Sequence, residues 1–116
     1  MEQKILDCTL RDGGLVNRFY FTDDFVRGLY QANLQAGIDY MEFGYKASEA
    51  LFDRREFGKR KFCREEDLRA VVGDNKTSMK ISVMADVGRT DYSKDILEKK
   101  DSVIDMVRIA AYAEQM

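Results

Sequence analysis

The sequence contains no histidine and no proline, and only two cysteines. Without imidazole the chain lacks the commonest general base and the commonest nitrogen ligand for a metal. Acid–base or metal chemistry within it must rest on carboxylates, Lys, Tyr or Cys. Cys8 and Cys63 are too few for a disulfide scaffold or a thiolate metal cage, and both read as free thiols. No apolar run approaches the length of a membrane span, and no basic segment followed by a hydrophobic one opens the chain. A cytoplasmic protein with no membrane partner is therefore expected. Internal repeats and low-complexity tracts are also absent.

The composition that remains is that of a globular protein: 116 residues, 45% hydrophobic and 34% charged. The length suits one domain or part of one. Nineteen basic against 21 acidic residues leave a net charge of -2, which argues against a dedicated nucleic-acid protein. The connection from Arg54 to Arg64 carries six basic residues interleaved with Phe57 and Phe62. Asp53, Glu56, Glu65, Glu66 and Asp67 nearly neutralise that run, so a solvated loop is the leading reading and a grip on an anionic substrate the second.

Hydrophobic periodicity alternates between strand and helix. Lys4 to Arg11 reads as a first strand, with Gly13 and Gly14 turning the chain after it. Thr22 is a plausible N-cap, with Asp23 and Asp24 in the first turn where carboxylates meet the positive end of the helix dipole. Phe25, Val26, Leu29, Tyr30 and Leu34 then recur at helical spacing, and Gly37 stands where a helix end needs a left-handed residue. Ile38 to Tyr45 reads as a second strand, Glu65 to Val72 as a helix stopped by Gly73, and Lys80 to Val87 as a third strand. Tyr92 to Lys100 reads as a helix and Val103 to Tyr112 as a fourth strand. Such alternation builds a parallel sheet through right-handed crossovers. Periodicity alone leaves open an α/β layer sandwich or a piece of a (β/α)8 barrel. Both place active sites at the C-terminal ends of their strands, where Arg11, Asp12 and Glu42 gather.

Three segments taken together carry a resemblance: Asp7-Cys-Thr-Leu-Arg-Asp-Gly13, Phe21-Thr-Asp-Asp-Phe25, and Met41-Glu-Phe-Gly-Tyr45. They resemble the opening of the HMG-CoA-lyase-like, or DRE-TIM, metallolyase superfamily, and within it the aldolase branch that includes 4-hydroxy-2-oxovalerate aldolase. The resemblance runs through all four expected strands. It implies the N-terminal half of a (β/α)8 TIM barrel, with about four parallel strands and three crossover helices over residues 1–116. It also implies a divalent metal, Mg or Mn, and the making or breaking of carbon–carbon bonds next to the carbonyl of a 2-oxo acid.

Carried over by residue, the resemblance implies that Asp12 is a metal ligand, that Arg11 holds the substrate's carbonyl or enolate oxygen, and that Glu42 orients the pair. An enolate needs its developing negative charge stabilised, which a divalent Lewis acid and a permanently charged guanidinium both do. Asp7, Tyr45, Lys46 and Arg108 are further candidates for substrate contact, Asp7 equally for a supporting hydrogen bond and Arg108 equally for pairing with an acidic neighbour. Asp86 would line the site or cap the turn at Gly88. Family members complete the metal site with histidines from a later strand, and a whole barrel needs roughly 250 residues. The implied metal site is therefore incomplete in this chain, which is expected to be a fragment or to pair with itself or another barrel half through its open edges.

Two other readings stand beside this one. Ile5-Leu-Asp-Cys-Thr9 loosely matches the start of haloacid-dehalogenase-like phosphatases, with Asp7 as nucleophile. A non-catalytic half-barrel that binds a partner chain or a small acid is the other.

Overall fold

A computed structural model of the chain describes residues 4–17, 20–47, 58–86 and 102–110; the side chains of Asp12 and Asp86 lie outside that description. Four parallel strands form one sheet in the order of the sequence: β1 (Leu6–Asp7), β2 (Tyr40–Tyr45), β3 (Lys80–Asp86) and β4 (Met106–Ala110). Among the described residues three α-helices accompany them: α1 (Thr9–Asn17), α2 (Asp23–Ala36) and α3 (Glu65–Val72). Sequential parallel pairing, with helices in the first two crossovers, is the arrangement of half a (β/α)8 barrel, the architecture expected from the sequence.

Helix α2 forms where its local signals place it. The Thr22 side chain accepts the Phe25 N–H at 3.1 Å, Asp23 and Asp24 occupy the first turn, and Gly37 closes the helix at φ 76°. Helix α3 runs from Glu65 to Val72, as its periodicity predicts. The anticipated Tyr92–Lys100 helix lies outside the described residues.

The first strand is shorter than expected. It spans Leu6–Asp7 alone, and Arg11, Asp12 and the two glycines stand in α1 rather than at a strand end and a turn. Thr9 begins that helix with its hydroxyl donating to Asp7 Oδ1 at 2.6 Å. Leu10 is driven into the core with no exposed surface. Glycine is a poor helix residue by up to about 1 kcal/mol, and a Cβ on Gly13 would meet the Phe21 ring at 3.4 Å. That is ordinary van der Waals contact, so α1 forms through Gly13 against its propensity without a packing demand for glycine. Strand β4 also starts later than expected, at Met106, because Ser102 and the Val103 N–H are tied to the Glu65 carboxylate at the head of α3, the latter at 3.0 Å.

Each sheet face has its own chemistry. Met41, Phe43, Ile81 and Val83 form a buried cluster with Val26 and Tyr30 of α2 and Leu68, Val71 and Val72 of α3. Strand alternation sends Glu42, Ser82 and Arg108 to the opposite face, and the register sets Glu42 beside Ser82 and Arg108 beside Met84. At the N-terminal ends, two aspartates bridge neighbouring strands. Asp39 Oδ2 accepts the Ile5 N–H at 2.8 Å, and Asp105 Oδ2 accepts the Ile81 N–H at 2.9 Å. Among the described residues no helix is long and apolar enough to cross a membrane.

Candidate active site

Glu42 is the centre of the face opposite the cluster formed with α2 and α3. It has no exposed surface, yet it sits in the middle of β2 among apolar neighbours, so its charge must be met locally. Two arginines meet it. Arg11, in the first turn of α1, reaches over the end of β1 and donates from Nε to Oε2 at 3.1 Å. Arg108, two strands away on β4, grips both oxygens, Nε to Oε1 at 3.0 Å and Nη2 to Oε2 at 2.5 Å. That two-point fork is the strongest form of the carboxylate–guanidinium contact.

Neutral groups complete the cradle. Cys8 Sγ donates to Glu42 Oε2 at 3.4 Å and accepts from Arg108 Nη2 at 3.6 Å, while Ser82 Oγ lies 3.4 Å from Oε1. Burial, together with the hydrogen bond to Glu42, pushes the Cys8 thiol above its ordinary range, so it stays protonated. The bond to Glu42 likewise pushes Arg108 upward and keeps it charged. Glu42 carries one negative charge and its two partners carry two positive ones.

No family model matches the chain, and no curated protein matches it. Among solved structures, the chain is similar to the N-terminal domain of a candidate aldolase from Bacteroides vulgatus. The TM-score is 0.75 at 30% identity over 92% of this chain. The chain has the fold of half a (β/α)8 barrel, shared with that domain. The chain spans 35% of the length of that neighbour, so most of the neighbour has no counterpart here.

The expected site residues divide according to the face they occupy. Arg11, Glu42 and Arg108 come together, although Arg11 arrives from a helix and not from a strand end. Asp7 does not join them. It is paired in register with Met41, on the helix-covered side, where Asn33 Nδ2 donates to its Oδ2 at 3.0 Å and Thr9 occupies its Oδ1. Both oxygens of Asp7 therefore hold α1 and α2 to the strand, which leaves the nucleophile reading no geometric support. Tyr45 lies at the end of β2 with the Lys61 ammonium 5.1 Å from its ring centre. Lys46 is buried, its N–H bonded to the Met84 carbonyl at 2.9 Å.

Ser82 and Cys8 escaped the sequence reading. Their signal is faint: one hydroxyl inside the apolar run Lys80-Ile-Ser-Val-Met84, and one thiol two residues after Leu6. Part of the basic connection is described, and two of its charges are paired. Lys59 pairs with Asp23 at 3.2 Å and Arg64 with Glu66 at 3.2 Å.

The implied divalent metal is not matched by what is described. Among the described residues no group of three or more His, Cys, Asp or Glu side chains stands close enough to hold an ion. Glu42, the best-placed carboxylate, has both oxygens engaged by guanidiniums. Asp12 follows Arg11 in α1, and its side chain lies outside the description.

Proposed function

We propose that the chain is the first half of a (β/α)8 aldolase or lyase acting on 2-oxo acids, related to the HMG-CoA-lyase-like superfamily and its aldolase branch. The observation that carries the reading is the guanidinium pair anchored on buried Glu42, set in a fold similar to the N-terminal domain of a candidate aldolase. In an aldol cleavage the ketone oxygen becomes an enolate oxygen, and catalysis consists largely in holding that charge. Arg11 would hold the enolate oxygen and Arg108 the neighbouring carboxylate. Glu42 would keep both guanidiniums aimed and prevent them from repelling each other.

In this reading a divalent ion, with Asp12 among its ligands, would supply Lewis acidity; the described residues do not make that site by themselves. The remaining ligands and the substrate's far end would come from a second barrel half, met along the outer strands β1 and β4. The alternative of a non-catalytic half-barrel draws on the same pair of guanidiniums, which would bind a small acid without turning it over.

The test is release of pyruvate from 4-hydroxy-2-oxo acids with Mg or Mn, by the chain alone and mixed with a barrel half that carries metal-binding histidines. Metal-dependent release by the mixture, reduced about 100-fold or more in Arg11→Ala, is the expected result. Binding of pyruvate with no turnover in any combination would favour the non-catalytic half-barrel.

A further inference from the structure

We infer that Cys8 and Ser82 are positioning residues, which hold the Glu42 carboxylate in the one orientation that aims both guanidiniums at a shared anion. The inference rests on the proposed 2-oxo-acid site and adds to it two residues that touch neither substrate nor metal.

The argument starts from saturation. A carboxylate offers about four lone-pair positions, and Glu42 receives five donor contacts: Arg11 Nε, Arg108 Nε and Nη2, Cys8 Sγ and Ser82 Oγ. The charged contacts, at 2.5 to 3.1 Å, supply most of the attraction. They do not by themselves define the plane of the carboxylate, because both guanidiniums end on long side chains that can follow it. The neutral contacts come from the two strands that flank β2. Ser82 on β3 is its register partner, and Cys8 lies just past β1. At 3.4 Å each is long, so each contributes little to stability. Their anchor points, however, are short side chains on the backbone of β3 and at the end of β1, with few rotatable bonds. They act as stops on either side of the carboxylate.

Cys8 has a second function in this arrangement. Its sulfur donates to Glu42 and accepts from Arg108, which closes a ring of three side chains from three different elements. Removing the thiol opens a gap into which Arg108 can swing. Positional error of about 1 Å at a reacting group costs about 100-fold in rate, whereas a lost weak hydrogen bond costs little stability. The two effects separate experimentally.

The experiment uses the chain and four variants: Cys8→Ala, Ser82→Ala, their double, and Cys8→Ser as a conservative rescue. Oxalate, a planar dianion that resembles an enolised 2-oxo acid, is the probe. Nitrogen-15 NMR follows the Nε–H signals of Arg11 and Arg108 and their hydrogen exchange, and a urea titration follows stability. Each Ala variant should speed exchange at both Nε–H groups and weaken oxalate about fivefold, with the urea midpoint near that of the unaltered chain. Cys8→Ser should restore most of the loss.

If both Nε–H signals keep their shifts and exchange rates in the double variant, the positioning role is overturned. If they change but oxalate fails to bind even the unaltered chain, the positioning role stands and the 2-oxo-acid reading fails. If the urea midpoint falls in proportion to the exchange, Cys8 and Ser82 are structural only, and the inference fails.

Discussion

Replacing Glu42 by Gln tests the centre of the site with almost no change of shape. The amide keeps one acceptor oxygen and puts an NH2 group where the other oxygen accepted Arg11 or Arg108. Two guanidiniums then face each other across a neutral group, and at least one N–H meets another donor. Breaking a buried ion pair by deleting one partner costs roughly 3–5 kcal/mol. Here Arg11 and Arg108 retain 20% and 35% of their side-chain surface in water, so solvent screens part of the loss. An expected cost of about 2–3 kcal/mol follows, and with a urea slope of about 1.5 kcal/mol per molar the midpoint should drop by roughly 1.3–2 M. The same measurement on Arg108→Gln and on the double variant completes a cycle. Removing Arg108 from the Glu42→Gln background takes away one stranded cation, so the double should be clearly more stable than the sum of the singles predicts. A single-variant loss below about 0.5 kcal/mol, or strict additivity in the cycle, would refute the shared-carboxylate account.

Three further outcomes follow from the same structure. Gly37→Ala should lower stability by about 1 kcal/mol in a thermal melt, since nothing lies within 4 Å of the added Cβ and the cost is that of holding alanine at φ 76°. Asp105→Ala leaves the N–H of fully buried Ile81 without its carboxylate acceptor and should cost about 1–3 kcal/mol; a change within error would show that another group or water takes over. The third concerns pH. Burial and the bond to Glu42 raise the folded-state pKa of Cys8 above that of the unfolded chain, so the folded state holds the proton longer. The resulting stability is fully present below the ordinary thiol pKa and is lost as pH rises through the raised folded value. Urea midpoints measured across that alkaline range should fall more steeply for the unaltered chain than for Cys8→Ala, and equal slopes would contradict the assignment.

How much of this was legible in the sequence depended on how local its determinants are. Helix α2 was legible from end to end because Thr22, Asp23, Asp24 and Gly37 act within a turn of the positions they define. Helix α1 was not, because two glycines lower its propensity and read as a turn, yet the helix runs through them from Thr9 to Asn17. The Arg11–Glu42 pair could be expected from the motif, but its geometry could not: the guanidinium comes from a helix. Arg108 carried two readings until the register of β3 and β4 brought it to Glu42. Cys8 and Ser82 were invisible for the same reason. A lone thiol and a lone hydroxyl acquire meaning only from the strands beside them, and parallel strands find their neighbours through crossovers too long to read by eye. Asp7 shows the converse. It sits in the motif, yet the pleat turns it to the helices, where Asn33 takes it.

The two aspartates at the strand entrances bear on this directly. A parallel strand that slips by one residue turns its apolar side chains out and is rejected, but a slip of two residues keeps every side chain on its proper face. Hydrophobic burial scarcely opposes such a slip in β4, and it would carry Arg108 about 6.6 Å along the sheet, out of reach of Glu42. A slip would leave the Ile81 N–H at the strand entrance without its Asp105 carboxylate, and Asp39 fixes β1 likewise through Ile5. These carboxylates, at the N-terminal end of the sheet, act as index marks that bring Glu42, Ser82 and Arg108 into alignment as the strands assemble.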